Sequence, residues 1–313
     1  MREQRLRLVA AFTAVYVIWG STYLAIRYAI ATIPPYLMAA ARFASAGAFL
    51  LALARARGST WPTGRQWGVA LVSGALLLAG GIGGVCWAEQ RVPSGLAALV
   101  AGAGPLVTVL VDWLRPGGSR PDATTSAGLV LGFGGVALLI NPGATDAARI
   151  APAGALVLVG AVLSWAIGTV YTKHVHGAPS RLMGSGASML MGSGVLGIVA
   201  VLLGETSGFA PLHVSGRSIL ALAYLVAFGS VIAFTAYFWL IQHTTPAKAT
   251  TYAYVNPILA LLLGWAVAGE PVTSRVVVAA AVIVSGVLVV TALPHVRARL
   301  VTRRPGFSTL SSQ

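Results

Sequence analysis

The 313 residues are 57% hydrophobic and 9% charged, with a mean hydropathy of +0.83 and a net charge of +14. A soluble globular chain is roughly 45–50% apolar and 25% charged, so this one cannot cover a water-facing surface, and disorder, a coiled coil and a cytosolic enzyme are excluded. The single cysteine, Cys86, allows neither an internal disulfide nor a cysteine metal cage, and the basic residues lie between apolar runs, where they set membrane topology rather than bind nucleic acid.

A bilayer core about 30 Å thick needs about 20 apolar residues per helix. Ten such runs follow in order: 8–28, 35–54, 67–88, 94–114, 124–141, 152–173, 181–203, 217–241, 246–268 and 273–293. Short, breaker-rich connections join them, among them Pro34-Pro35, Arg57-Gly58, Pro116-Gly117-Gly118, Asn141-Pro142-Gly143 and Gly269-Glu270-Pro271. The first run follows Arg2, Arg5 and Arg7, but it is too long for a signal peptide and reads as a retained helix. With the N-terminus in the cytoplasm, fifteen Lys and Arg fall on cytoplasmic segments. Four, Arg91, Arg149, Arg217 and Arg275, fall outside. The positive-inside rule then places both termini in the cytoplasm. The basic, Ser-rich end, 294–313, reads as a disordered tail.

The two halves resemble each other. Trp19 precedes Arg27 by eight residues, and Trp165 precedes Lys173 by eight; Pro105 precedes Trp113 by eight, and Pro257 precedes Trp265 by eight. Five spans per half force the second half to enter from the opposite side. The organisation expected is therefore an all-α membrane protein of two inverted five-helix repeats, 8–141 and 152–293, around a central cavity. Inverted repeats with interrupted helices are the architecture of secondary transporters.

Four segments carry a family resemblance: Trp19-Gly20-Ser21-Thr22-Tyr23, Ala41-Arg42-Phe43, Ala88-Glu89-Gln90 with Pro93-Ser94, and Asn256-Pro257 with Gly269-Glu270. The chain resembles the EamA family of the drug/metabolite transporter superfamily, nearest to its YedA-like bacterial inner-membrane exporters. The resemblance implies ten helices, two EamA repeats and cytoplasmic termini. It also implies a cavity built mainly by the first, third, fourth, sixth, eighth and ninth helices, and export or exchange of small metabolites. Proton coupling is likewise a family-level expectation. One departure is Gly104-Pro105 where the second repeat has Asn256-Pro257.

Candidate contacts follow from cost. A charge within a span faces the bundle interior or snorkels to headgroups, and both readings are open for Arg27. Arg42 is deeper and either meets substrate or bonds freed carbonyls or Glu89. If Arg27 and Arg42 face the cavity, the substrate is anionic or zwitterionic. Glu89 ends the third span as either a helix-end charge or a cavity-mouth carboxylate that takes a proton or attracts a cationic substrate. Asp112 and Arg115 form a local pair at spacing i,i+3. Pro257 frees a carbonyl next to Asn256, with Tyr252 one turn earlier; Pro105 makes the matching kink. Trp19, Thr22, Tyr23 and Trp165 are candidate cavity walls. Glycines spaced by four, such as Gly80/Gly84 and Gly128/Gly132, read as close helix packing.

Competing classes lack their signatures. His174, His176, His213, His243 and His295 fall in loops or at span ends, with no Gly-x-Ser-x-Gly, zinc-protease or P-loop motif. An intramembrane enzyme or a channel stays the alternative to a carrier. No cofactor or metal is expected; the partners are a small-molecule substrate, lipid and, for Glu89, protons. The oligomeric state is open between monomer and homodimer.

Overall fold

A computed structural model describes residues 2–140, 151–175, 179–244, 248 and 251–302. Among the described residues ten helices of more than three residues follow one another. They are α1 (Arg2–Ala29), α2 (Pro35–Ala56), α3 (Gly64–Ala88), α4 (Ser94–Leu114), α5 (Ala123–Ile140), α6 (Pro152–His174) and α7 (Arg181–Leu202). Then come α8 (Gly216–Tyr224, Leu225–Ile232 and Ala233–His243 end to end), α9 (Tyr252–Ala268) and α10 (Ser274–Thr302). Among the described residues nine are long and apolar enough to cross a membrane, and α9 is a shorter apolar helix.

Local chemistry sets the boundaries. Pro35 and Pro152 open α2 and α6, where a missing N–H costs nothing. Thr63 starts α3 with a reciprocal cap: its hydroxyl takes the Gln66 N–H while the Gln66 side chain takes the Thr63 N–H. Ser215 starts α8 by accepting the Ser218 N–H at 3.1 Å. Gly269, at φ 64°, ends α9 in the left-handed conformation that glycine tolerates. The final helix runs past the expected end at 293 to Thr302, through a stretch whose Arg297, Arg299 and Leu300 favour helix. The Asn141-Pro142-Gly143 turn, Arg149, His176, Pro246 and residues 303–313 lie outside the described residues.

Packing follows the duplication. α1 packs on α9 and α8, and its mate α6 packs on α4 and α3; α2 packs on α8, and α7 on α3. Three pairs join mates directly: α2 with α7, α4 with α9, and α5 with α10. This is the contact pattern of a two-fold relation between five-helix halves, with an odd span count inverting the second.

Small residues bring these helices together, as expected for bilayer-embedded packing. A Cβ on Gly286 would sit 2.5 Å from the Gly132 backbone nitrogen, and one on Gly47 would sit 2.8 Å from the Leu190 nitrogen. Gly84 meets Ala161, and Gly80 meets Ser164. The glycine stripes are intramolecular seams. Gly286→Val therefore forces α5 and α10 apart. The expected loss is about 1–3 kcal/mol, read as a lower unfolding midpoint in detergent; an unchanged midpoint would refute the seam.

Two features were not expected from composition. The middle of α3, Gly74–Gly83, and the middle of α8, Leu225–Ile232, are π-helical. Such wide turns release carbonyls from the regular ladder. Each is met by a side chain of the facing helix: Trp19 Nε1 donates to Gly229 O at 3.2 Å, and Ser164 Oγ donates to Leu76 O at 2.7 Å. The donors lie one position apart in the two repeats, since Ser164 precedes Trp165, the counterpart of Trp19.

Candidate functional site

The site has three levels. At one end of the bundle, the turn at Gly269 returns the chain so that the Glu270 N–H donates to Gly264 O at 3.0 Å. Gly264 has no side chain where the Glu270 carboxylate lies. That carboxylate is 4% exposed. It accepts from the Ser94 N–H and Oγ, both at 2.8 Å, from the Gly95 N–H at 2.9 Å, and from the Arg27 guanidinium. These amides start α4, where free N–H groups and the helix dipole favour an anion. A residue of the second repeat thus holds two helices of the first. Glu205, after α7, does the same to α2, accepting the Leu37 N–H at 2.9 Å and the Tyr36 N–H at 3.3 Å.

Glu89 lies beside this cluster, one residue past the end of the third span. Both its oxygens are buried without a hydrogen-bond partner. Burial and the neighbouring Glu270 charge push its carboxyl well above the usual range, against an opposing pull from Arg27. A cleft of about 470 Å³ at this end is lined by Arg27, Glu89, Gln90, Arg91 and Pro93.

In the middle, Arg42 is 3% exposed. Its Nε donates to Ser230 Oγ at 2.9 Å, in the wide-turn segment of α8, and its guanidinium lies 4.9 Å from the Phe43 ring centroid. The expected alternative of a Glu89 partner is not formed. Toward the other end, Trp19 contacts Tyr252 (4.8 Å between centroids), Tyr237 (5.2 Å) and Phe234 (5.3 Å), and Tyr237 also meets Tyr252 at 5.4 Å. These rings fill the bundle between α1, α8 and α9. Asn256 is buried beside them with its Oδ1 unpartnered. A second cleft, about 560 Å³, opens at this end between Ala54, Arg57, Arg181 and Trp239.

The EamA-like transporter family model matches residues 7–141 and again 152–292. The chain belongs to the EamA-like transporter family. Escherichia coli (strain K12) YedA, named an uncharacterized inner membrane transporter, is 40% identical over 290 residues, 92% of each chain. The uncharacterized transporter YvbV of Bacillus subtilis (strain 168) is 25% identical over 288 residues, again 92% of each. Protein PecM of Dickeya dadantii (strain 3937) is 27% identical over 279 residues. One crystal structure shares the fold, with a TM-score of 0.63 and 23% identity, over 92% of this chain and 98% of that one.

In this EamA-like transporter the sequence-derived candidates divide. Trp19, Tyr252 and Asn256 come together, with Thr22 buried near Gly229. Tyr23 is half-buried against the α4 and α6 core. Arg27 pairs with Glu270 rather than snorkelling. Trp165 is apart, packed on Gly81 in the wide-turn segment of α3. Pro105 and Pro257 mark the crossing of α4 and α9: α4 breaks at Ala103, and Pro257 presses on Gly102. Asp112 pairs with Arg115 at 3.4 Å and also meets Lys173 at 3.6 Å. Glu270, Ser94 and Ser230 were not candidates. The available signal for Glu270 was its place between a turn glycine and a proline.

Proposed function

We propose that this chain moves a small organic molecule across the bacterial inner membrane by alternating access, exporting or exchanging it, with 8–141 and 152–293 as the moving halves. The observation that carries this reading is the Glu270 contact. One carboxylate of the second repeat gathers Arg27 and the start of α4 from the first at one end of the bundle, while the inter-repeat ion pair at the other end, Asp112 with Lys173, is looser at 3.6 Å. An ionic latch of this kind can open and close, which is what a two-state carrier needs at each gate. With both termini cytoplasmic, the latched end is periplasmic and the cleft at Arg57 and Arg181 faces the cytoplasm. Substrate enters that cleft, meets the rings around Trp19, and leaves when the latch parts.

The test is flux in proteoliposomes with pooled labelled amino acids, sugars and cationic drugs, with and without a pH gradient. Saturable, protein-dependent movement is expected. Turnover of a substrate without vectorial movement would favour the enzyme, and single-channel currents the channel.

A second reading, proton coupling, is favoured by the buried, unpartnered carboxyl of Glu89. Burial and the neighbouring Glu270 charge raise its affinity for protons in the latched state. If opening exposes Glu89 to water, the open state binds fewer protons, so raising the pH favours opening. Glu89→Gln imitates the protonated form. The expected result is flux that no longer follows the pH gradient; an unchanged gradient response would release Glu89 from this role.

A further inference from the structure

Arg42 is a cation within a membrane span, and its surroundings do not neutralise it. Among the described residues it forms no ion pair, and its one hydrogen bond is the Nε donation to Ser230. Its guanidinium also lies over the Phe43 ring, close to Gly229 and near enough to the buried Cys86 thiol to interact with it. The Thr22 hydroxyl is already turned to its own helix, donating to Trp19 O at 2.6 Å. A buried charge without a counter-charge is costly, and ionisable residues in spans either pair or mark the substrate path.

The guanidinium is also held in place by its surroundings. Gly229 lets the α8 backbone approach Arg42 closely: a Cβ there would lie 3.1 Å from Nη2 and 3.2 Å from the Thr22 methyl. With Nε tied to Ser230, the guanidinium is fixed in orientation and its Nη edge is left unbonded among the described residues. Trp19, whose indole donates to the same Gly229 carbonyl, borders this point and the aromatic cluster.

We infer that Arg42 is the anion subsite of the carrier and that its substrate carries a single carboxylate. One planar fork matches one planar carboxylate. A phosphate dianion would need a second cation, and Arg27, the other arginine the first repeat places within a span, is already paired with Glu270. The inference rests on the carrier reading above and narrows it to a substrate class. The loaded subsite is then electrically balanced, and the empty one is not.

The experiment uses the full chain in proteoliposomes and labelled matched pairs: benzoate with benzamide, N-acetyl-leucine with its amide, and leucine with leucinamide, plus glycerol 3-phosphate as the phosphate arm. The wild type is expected to move acids at least about tenfold better than amides. Arg42→Gln loses that preference while still moving amides, and Arg42→Lys keeps part of it. Ser230→Ala, which frees Nε without removing the charge, raises KM for acids more than it lowers kcat, and it serves if Arg42→Gln fails to fold. Equal movement of acids and amides by the wild type, preference for the phosphate, or an unchanged preference in Arg42→Gln overturns the inference. Movement of sugars or cationic drugs alone overturns it and leaves the carrier intact; no movement of any compound overturns the carrier reading itself.

Discussion

Glu270→Gln is expected to lower flux at least about tenfold and to lower the unfolding midpoint. The amide keeps the shape but replaces a charged acceptor of four donors with a group that is half donor. Hydrogen bonds to a charged group contribute about 1.5–3 kcal/mol each, and here three of them come from the first residues of α4. Arg27 contributes less, because its side chain is 40% exposed and so partly solvated when released. This ordering has a consequence for charge reversal. The double variant Arg27→Glu with Glu270→Arg restores an ion pair on paper but aims a guanidinium at the N–H groups of Ser94 and Gly95. It is expected to stay as poor as Glu270→Gln, or worse. Recovery of flux in the double variant would show that the pair acts alone and that the helix start is incidental. Wild-type flux in Glu270→Gln would remove the latch from the mechanism.

Gly102→Val is the second large effect. A Cβ at 102 would lie 2.5 Å from Pro257 Cγ and 3.6 Å from Ala253 O. The proline ring cannot rotate away, and α4 and α9 are the mates that cross at the centre of the two-fold arrangement. The variant must part them, costing about 1–3 kcal/mol, and flux is expected to fall by more than stability does, because the crossing moves when the halves move. The comparison variant is Gly104→Ala, two residues on, where nothing lies within 4 Å; flux there should stay near wild type. Equal loss in both would mean that α4 tolerates no side chain at its break, and that the crossing has no special part.

The sequence made the spans, the repeats and the seams legible because each rests on periodicity or residue size. Ten apolar runs, matched Trp and Pro spacings, and glycines four apart are one-dimensional signals of three-dimensional packing. The Asp112–Arg115 pair was legible for the same reason, since both lie on one helix. The latch was not. Glu270 sits between Gly269 and Pro271 and reads as a loop; its burial depends on the start of α4, far away in the chain. The wide turns in α3 and α8 carry no distinctive composition, because Leu, Ala, Gly and Val suit any helix in lipid. Trp165 shows the limit of symmetry: it mates with Trp19 in sequence, yet its neighbours are Gly81 and the π-helical stretch of α3 rather than tyrosines. A charge on one span and its partner on another, as with the expected Arg42–Glu89 contact, is beyond what spacing alone resolves.

The π-helical stretch of α8 can be viewed as a dislocation in a crystal. A dislocation holds extra material, and it can glide without breaking the lattice on either side. Moving it by one residue turns only the residue it passes, by about 100°, and exchanges one carbonyl's partner for the next. Ser230 lies inside this stretch, bound to Arg42, and Gly229 holds the Trp19 indole. Glide through Gly229 and Ser230 would therefore turn both contacts away while Ser215 still anchors the start of the helix. Such a step would change what the helix presents at mid-membrane without tilting it as a rod.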